Sequence, residues 1–153
     1  MKALVFGSAA ALMLSVHAVG AAETAPSDVE FNEYGGVSAS LTGTPGDPAN
    51  GAKVFANRKQ GNCLACHENS DMADALFHGE VGPTLDGVGS RWEEADLRGI
   101  LTNSKMMFEG TIMPAFYIDA GYTRASEKFE GKPILTAQQV EDVLAYLKTL
   151  TDE

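Results

Sequence analysis

Apolar and polar positions along the chain fall into three helix-like blocks, separated by two long stretches with no period. The first block follows Asp47-Pro48: Asp is a favoured N-cap and Pro a favoured first helical residue. Ala49, Ala52, Val54, Phe55 and Ala56 follow it, and Gly61 closes the segment. The second runs from Glu93 to about Asn103, with Leu97, Ile100 and Leu101 at helical spacing and Glu93 and Glu94 near its positive end. The third begins at Thr136, where Thr136-Ala137-Gln138-Gln139 matches a capping box. Val140, Val143, Leu144 and Leu147 then share one face. Strict alternation of the kind a sheet needs is found nowhere, so the pattern predicts an all-α domain. The connections at 67–92 and 104–135 are long for a compact domain unless something else orders them. Three short helices also make a thin core, and a large apolar cofactor would answer both needs.

Ahead of these blocks lie two segments of other kinds. Met1-Lys2, an apolar run from Ala3 to Val16 and the small residues Ala18, Gly20, Ala21 and Ala22 read as a signal peptide, residues 1–22, cleaved near Ala21 or Ala22. A spanning helix needs about 20 apolar residues, and Ser15 and His17 interrupt this run. The mature chain is expected to be exported, without a membrane span, and long enough for one domain. Residues 23–46 are small, polar and Gly/Pro-bearing. They are expected to form an extended N-terminal arm, lying on the domain (47–153) or on a partner. The formal net charge of −10 argues against nucleic acid and anionic membrane.

Candidate chemistry concentrates in GNCLACH, residues 61–67, which holds both cysteines of the chain. A disulfide between Cys63 and Cys66 closes almost no loop and adds little stability. A thioredoxin-like redox pair would sit near a βαβ pattern, and none is visible. A zinc site could draw only on Cys63, Cys66, His67 and His78, with two of these adjacent and without the usual ligand spacing. C-x-x-C-H is instead the attachment signature of a c-type haem: two thiols form thioethers to the porphyrin, and the histidine behind them meets the iron. One covalent haem c, held by Cys63 and Cys66 with His67 as proximal ligand, is the expected cofactor.

The residues around this motif resemble a known family. DPANGAKVFA, CLACH, GPTLDGVGSRW, a Met-Pro segment and LTAQQVEDVLAYLKTL are similar to a monohaem cytochrome c of the mitochondrial-type fold over residues 47–150. GPTLDGVGSRW, NSKMMFEGTIMPAFY and the N-terminal arm more narrowly resemble the SoxX family, the monohaem subunits of SoxAX cytochromes. For the distal iron ligand the candidates are Met72, His78, Met106, Met107 and Met113. Met113 is favoured because Pro114 biases it toward extended backbone and a thioether is a known partner of axial His. His78 is the rival, and the Met-Pro of the family falls on Met113-Pro114. The fold further implies that Pro83 offers its carbonyl to His67, with Gly82 allowing close approach, and that Arg91 and Trp92 stand by the propionates.

What the resemblance implies about function is a periplasmic electron-transfer subunit. It would form a heterodimer with a SoxA-like haem protein, which carries the reactive site of an L-cysteine S-thiosulfotransferase. Thiosulfate is coupled there to a cysteine of the carrier protein SoxY, and this non-catalytic chain would take the electrons and pass them to a small diffusible cytochrome c. The arm at 23–46 and the insertion at 115–134 are the expected partner contacts. Two other readings remain: a freestanding electron-shuttle cytochrome c, and a haem enzyme or sensor whose Met113 gives way to a ligand.

Overall fold

The computed structural model describes residues 22–123 and 126–152; the expected signal peptide lies, apart from Ala22, outside the described residues. Among the described residues four α-helices form, in the order α1 (Pro48–Ala56), α2 (Val88–Arg91), α3 (Glu94–Asn103) and α4 (Ala137–Leu147). Short 3-10 turns punctuate the connections, and there is no strand among the described residues. The helix ends follow local chemistry. The Asp47 carboxylate accepts from the Ala49 amide at 2.8 Å. Thr136 Oγ1 accepts from the Gln139 amide, and Gln139 Oε1 from the Thr136 amide, so both halves of the capping box are made.

The frame is the crossing of α1 and α4. Gly51 lets the two backbones touch: a Cβ there would lie 1.9 Å from the Asp142 carbonyl oxygen. One turn on, the rings of Phe55 and Tyr146 meet edge to face with centroids 5.4 Å apart. Val54, Val140, Val143, Leu144 and Leu147 complete this seam, and Leu97 and Leu101 of α3 bury against it. The single turn of α2 adds Val88 to the core, and the Gly89 amide donates to Leu150 O at 2.8 Å.

Residues 23–46 lie on the domain and enter its core. Val37 and Leu41 are buried to 2% and 1% exposure. A buried ion pair holds them: Arg98 Nε donates to Glu141 Oε1 at 2.9 Å and Arg98 Nη1 to Val37 O at 3.0 Å. The same Glu141 oxygen accepts from the Leu41 amide. Removing one partner of such a pair costs about 3–5 kcal/mol, because the other charge stays buried. The start of the 115–134 segment is likewise core. Ala115, Phe116 and Tyr117 are buried, and the Phe116 and Tyr117 amides donate to Leu101 O and Thr102 O. No described helix is long and apolar enough to cross a membrane.

Candidate haem-binding site

The C-x-x-C-H segment leaves α1 through Asn62, whose φ of 51° is left-handed, and tightens into a 3-10 turn over Cys63–Ala65. The amides of Cys66 and His67 both donate to Cys63 O at 3.0 Å, so the motif forms one wound turn. Leu64 anchors it in the core, and both cysteines are unpaired. Burial pushes the Cys63 thiol up to about 12. Among the described residues, no three His, Cys, Asp or Glu side chains gather as a metal site would, so the set Cys63, Cys66, His67 and His78 is not assembled.

The ring of His67 is fixed on two sides. Its Nδ1 lies 2.7 Å from the carbonyl oxygen of Pro83. A carbonyl only accepts, so Nδ1 carries the proton and Nε2 keeps its lone pair. Gly82 stacks on the ring so closely that a Cβ would stand 2.3 Å from Cε1. The loop holding these two residues is tied back to the motif, Gly82 N to Cys66 O at 2.7 Å and Leu85 N to Glu68 O at 2.9 Å.

Met113 packs partly buried against the core. Its carbonyl accepts from Ser104 Oγ at 2.9 Å and from Lys105 Nζ, and its amide donates to Thr111 Oγ1. His78 is engaged at both ring nitrogens: Nδ1 accepts from the Asn69 amide at 3.2 Å and Nε2 donates to Met72 O at 3.0 Å. To ligate iron it would have to break this pairing. Met72 packs on the core. Met106 is exposed and Met107 half-buried, their backbone covering Gly35. The Arg91 guanidinium donates to the Thr84 and Asp86 carbonyls, where it braces a loop. Trp92 meets Phe108 edge to face at 6.0 Å.

Sequence reasoning passed over Asn69, which is fully buried. It donates from Nδ2 to the Tyr146 hydroxyl at 2.8 Å, and that hydroxyl donates to Asp71 Oδ2 at 2.8 Å. Burial, then the Asp71 carboxylate, holds the Tyr146 hydroxyl well above the ordinary phenol range. The available signal was Asn69-Ser70-Asp71, a run of residues that bond their own backbone and open turns.

The donor set fits a haem: two thiols and an imidazole on one turn, with Nε2 available and its tautomer set. Large apolar side chains on the neighbouring segments fit one too. Leu76, Phe77, Val81 and Ile112 are 65–92% exposed, apolar groups that a bound macrocycle could cover.

The comparisons agree with this chemistry. The family model described as cytochrome c matches residues 48–151, and the chain belongs to the cytochrome c family, whose cofactor is covalent haem c. Within that family the likeness is to SoxX. A chain of the crystal structure of SoxXA from P. pantotrophus is 50% identical, with 86% of this chain and 100% of that one covered at a TM-score of 0.80. The c-type cytochrome SorU from Sinorhizobium meliloti is 28% identical over 68% of this chain and 90% of its own, at a TM-score of 0.43. No curated protein matches. The protein is an electron-transfer cytochrome c of the SoxX type.

Proposed function

We propose that Cys63 and Cys66 hold the haem as thioethers, that His67 Nε2 ligates its iron, and that Met113 Sδ is the second axial ligand. When bound, the haem supplies one-electron acceptance and release. The chain's own part is to fix that group and tune it. Pro83 O accepts from His67 Nδ1–H, Gly82 admits the ring, and Trp92 borders the site. The observation that carries this reading is the His67–Pro83 bond, which leaves Nε2 as the free nitrogen next to the two thiols. Arg91, spent on two loop carbonyls, acts by shaping the loop. Replacing Met113 with Ala should leave the haem attached but let the reduced protein bind carbon monoxide rapidly. An unchanged six-coordinate spectrum in that variant would exclude Met113 as ligand. Rapid carbon monoxide binding by the unmodified protein would favour the sensor reading.

We further propose that the chain is exported to the periplasm after loss of residues 1–22. There it would pair with a SoxA-like haem protein as the electron-accepting, non-catalytic subunit of a thiosulfate-coupling enzyme. The coupling joins a thiol of a SoxY-like carrier to thiosulfate through one S–S bond and releases a proton and two electrons. The electrons would leave this chain for a small diffusible cytochrome c. Likeness to a SoxXA chain over its whole length supports the pairing. The test is a pull-down of the chain, tagged after Glu153, from thiosulfate-grown cells, with staining for haem. A second haem protein in stoichiometric amount is the expected result. Recovery of the tagged cytochrome alone would leave it a freestanding shuttle.

A further inference from the structure

A polar cluster built on the buried side chains of Asn69 and Tyr146, with half-buried His78 and exposed Asp71 at its rim, stands behind the histidine loop, and electron transfer as described makes no use of it. Asn69 is its hub, with every polar atom engaged. Its amide donates to His78 Nδ1 and its carbonyl accepts from the Met72 amide at 3.1 Å. Its Nδ2 donates to the Tyr146 hydroxyl and its Oδ1 accepts from the Asp71 amide at 3.1 Å. His78 closes the ring of contacts by donating from Nε2 to Met72 O, and the Tyr146 hydroxyl does so by donating to Asp71. If only packing were at stake, an apolar pair at 69 and 146 would avoid the desolvation such a network carries.

The cluster couples α4 to the loop that orients His67. Asn69 is two residues beyond His67, and Glu68 between them accepts from Leu85 N. Leu85 follows Pro83 and Thr84 on the strand of loop whose carbonyl meets His67 Nδ1. Fixing residues 68–72 against Tyr146 and His78 therefore fixes where Pro83 O stands. A firm bond from Nδ1–H to a carbonyl raises the basicity of the opposite nitrogen, which favours the more positive, oxidised iron. We infer that Asn69, Tyr146 and His78 are positioning residues for the proximal histidine, holding the Pro83 bond short and the reduction potential low. This rests on His67 being the proximal ligand.

The test is the midpoint potential of the haem-loaded full chain, read beside unfolding stability. Tyr146→Phe keeps the ring against Phe55 and removes only the hydroxyl. His78→Phe removes both ring-nitrogen partners, whereas His78→Gln keeps one donor and one acceptor. Tyr146→Phe and His78→Phe should raise the potential, and His78→Gln should bring it back toward that of the parent. Amide exchange at Asn69 should quicken in His78→Phe and not in His78→Gln. Val143→Ala, on α4 but without a bond to the loop, should lower stability and leave the potential where it was. Parental potentials in both Tyr146→Phe and His78→Phe, or an equal shift in Val143→Ala, would reduce the cluster to a prop for the fold. The premise fails separately: a His67→Ala protein with an unaltered absorption spectrum would remove His67 from the iron, whatever the cluster does.

Discussion

The two segments that carry the proposed iron ligands are held in different ways. Residues 68–86 are stitched to the C-x-x-C-H turn by Gly79 N to Leu64 O and Gly82 N to Cys66 O, and closed on themselves by Leu85 N to Glu68 O. The His67 ring is itself gripped, by Gly82 on its face and Pro83 O on its edge. Residues 104–117 are pinned mainly at their ends, by Ser104 at the start and by the Phe116 and Tyr117 amides on α3 at the finish. Between those pins Phe108 and Ile112 are exposed. Met113 is secured through its backbone, and a thioether side chain has little hydrogen bonding of its own to add. One ligand is thus fixed by its ring and the other by its main chain, so displacement should begin on the methionine side.

Gly82→Ala attacks the tighter side and should have the largest effect. The new methyl would overlap the His67 ring, so the ring or the loop must move, at about 2–3 kcal/mol and with a changed haem spectrum. Parental unfolding and absorption would show that the loop yields easily and that the contrast is overstated. Ser104→Ala comes next. The residue is fully buried, and the loss of its donor to Met113 O should cost about 1–2 kcal/mol and quicken carbon monoxide binding to the reduced protein. If carbon monoxide kinetics did not move, the Ser104 pin would not govern Met113.

Acid should work in the opposite sense, loosening the histidine side first. The hydroxyl and amide of Ser70 hold the Asp86 carboxyl below its usual range. A carboxylate depressed in the folded state stabilises above its unfolded pKa, and that contribution is lost as pH falls through the lower folded value. No carboxylate takes part in the bonds that pin Met113. Below about pH 4, amide exchange at Ser70 should rise while Phe116 and Tyr117 stay protected; simultaneous loss would point to global unfolding. The smallest effect belongs to Lys105→Gln. Its exposed amine bonds Thr111 O and Met113 O, and stability should change by no more than about 0.5 kcal/mol. A larger loss would make the methionine segment depend on its surface.

Helix ends and the haem motif were legible because their determinants are neighbours in the chain. Asp47-Pro48 and Thr136 to Gln139 cap their helices within three residues, and Cys63, Cys66 and His67 sit on one turn. Arg98 and Glu141 were not, because each reads locally as the polar face of an amphipathic helix. Only the tertiary fold brings them to 2.9 Å and hangs Val37 and Leu41 from them. Residues 23–46 lack a period because Val37 and Leu41 are buried from irregular backbone, which leaves no repeat to find. The resemblance placed Arg91 by the propionates, and helical spacing says nothing of its bonds with the Thr84 and Asp86 carbonyls. Tyr146 packs its ring on Phe55, and nothing in helical spacing points to what its hydroxyl reaches.

The bond from Leu41 to Glu141 spans 100 residues of chain. Contacts of such separation are late and slow to form, and α4 lies C-terminal to everything it closes. During synthesis, residues 23–46 and α1 have no seat until the last helix arrives. Cys63 and Cys66 are consequently presented on an open chain, when a bulky planar group can still be brought to them. The closure made by Glu141 with Leu41 and Arg98 can form only once α4 exists, after both thiols have been within reach.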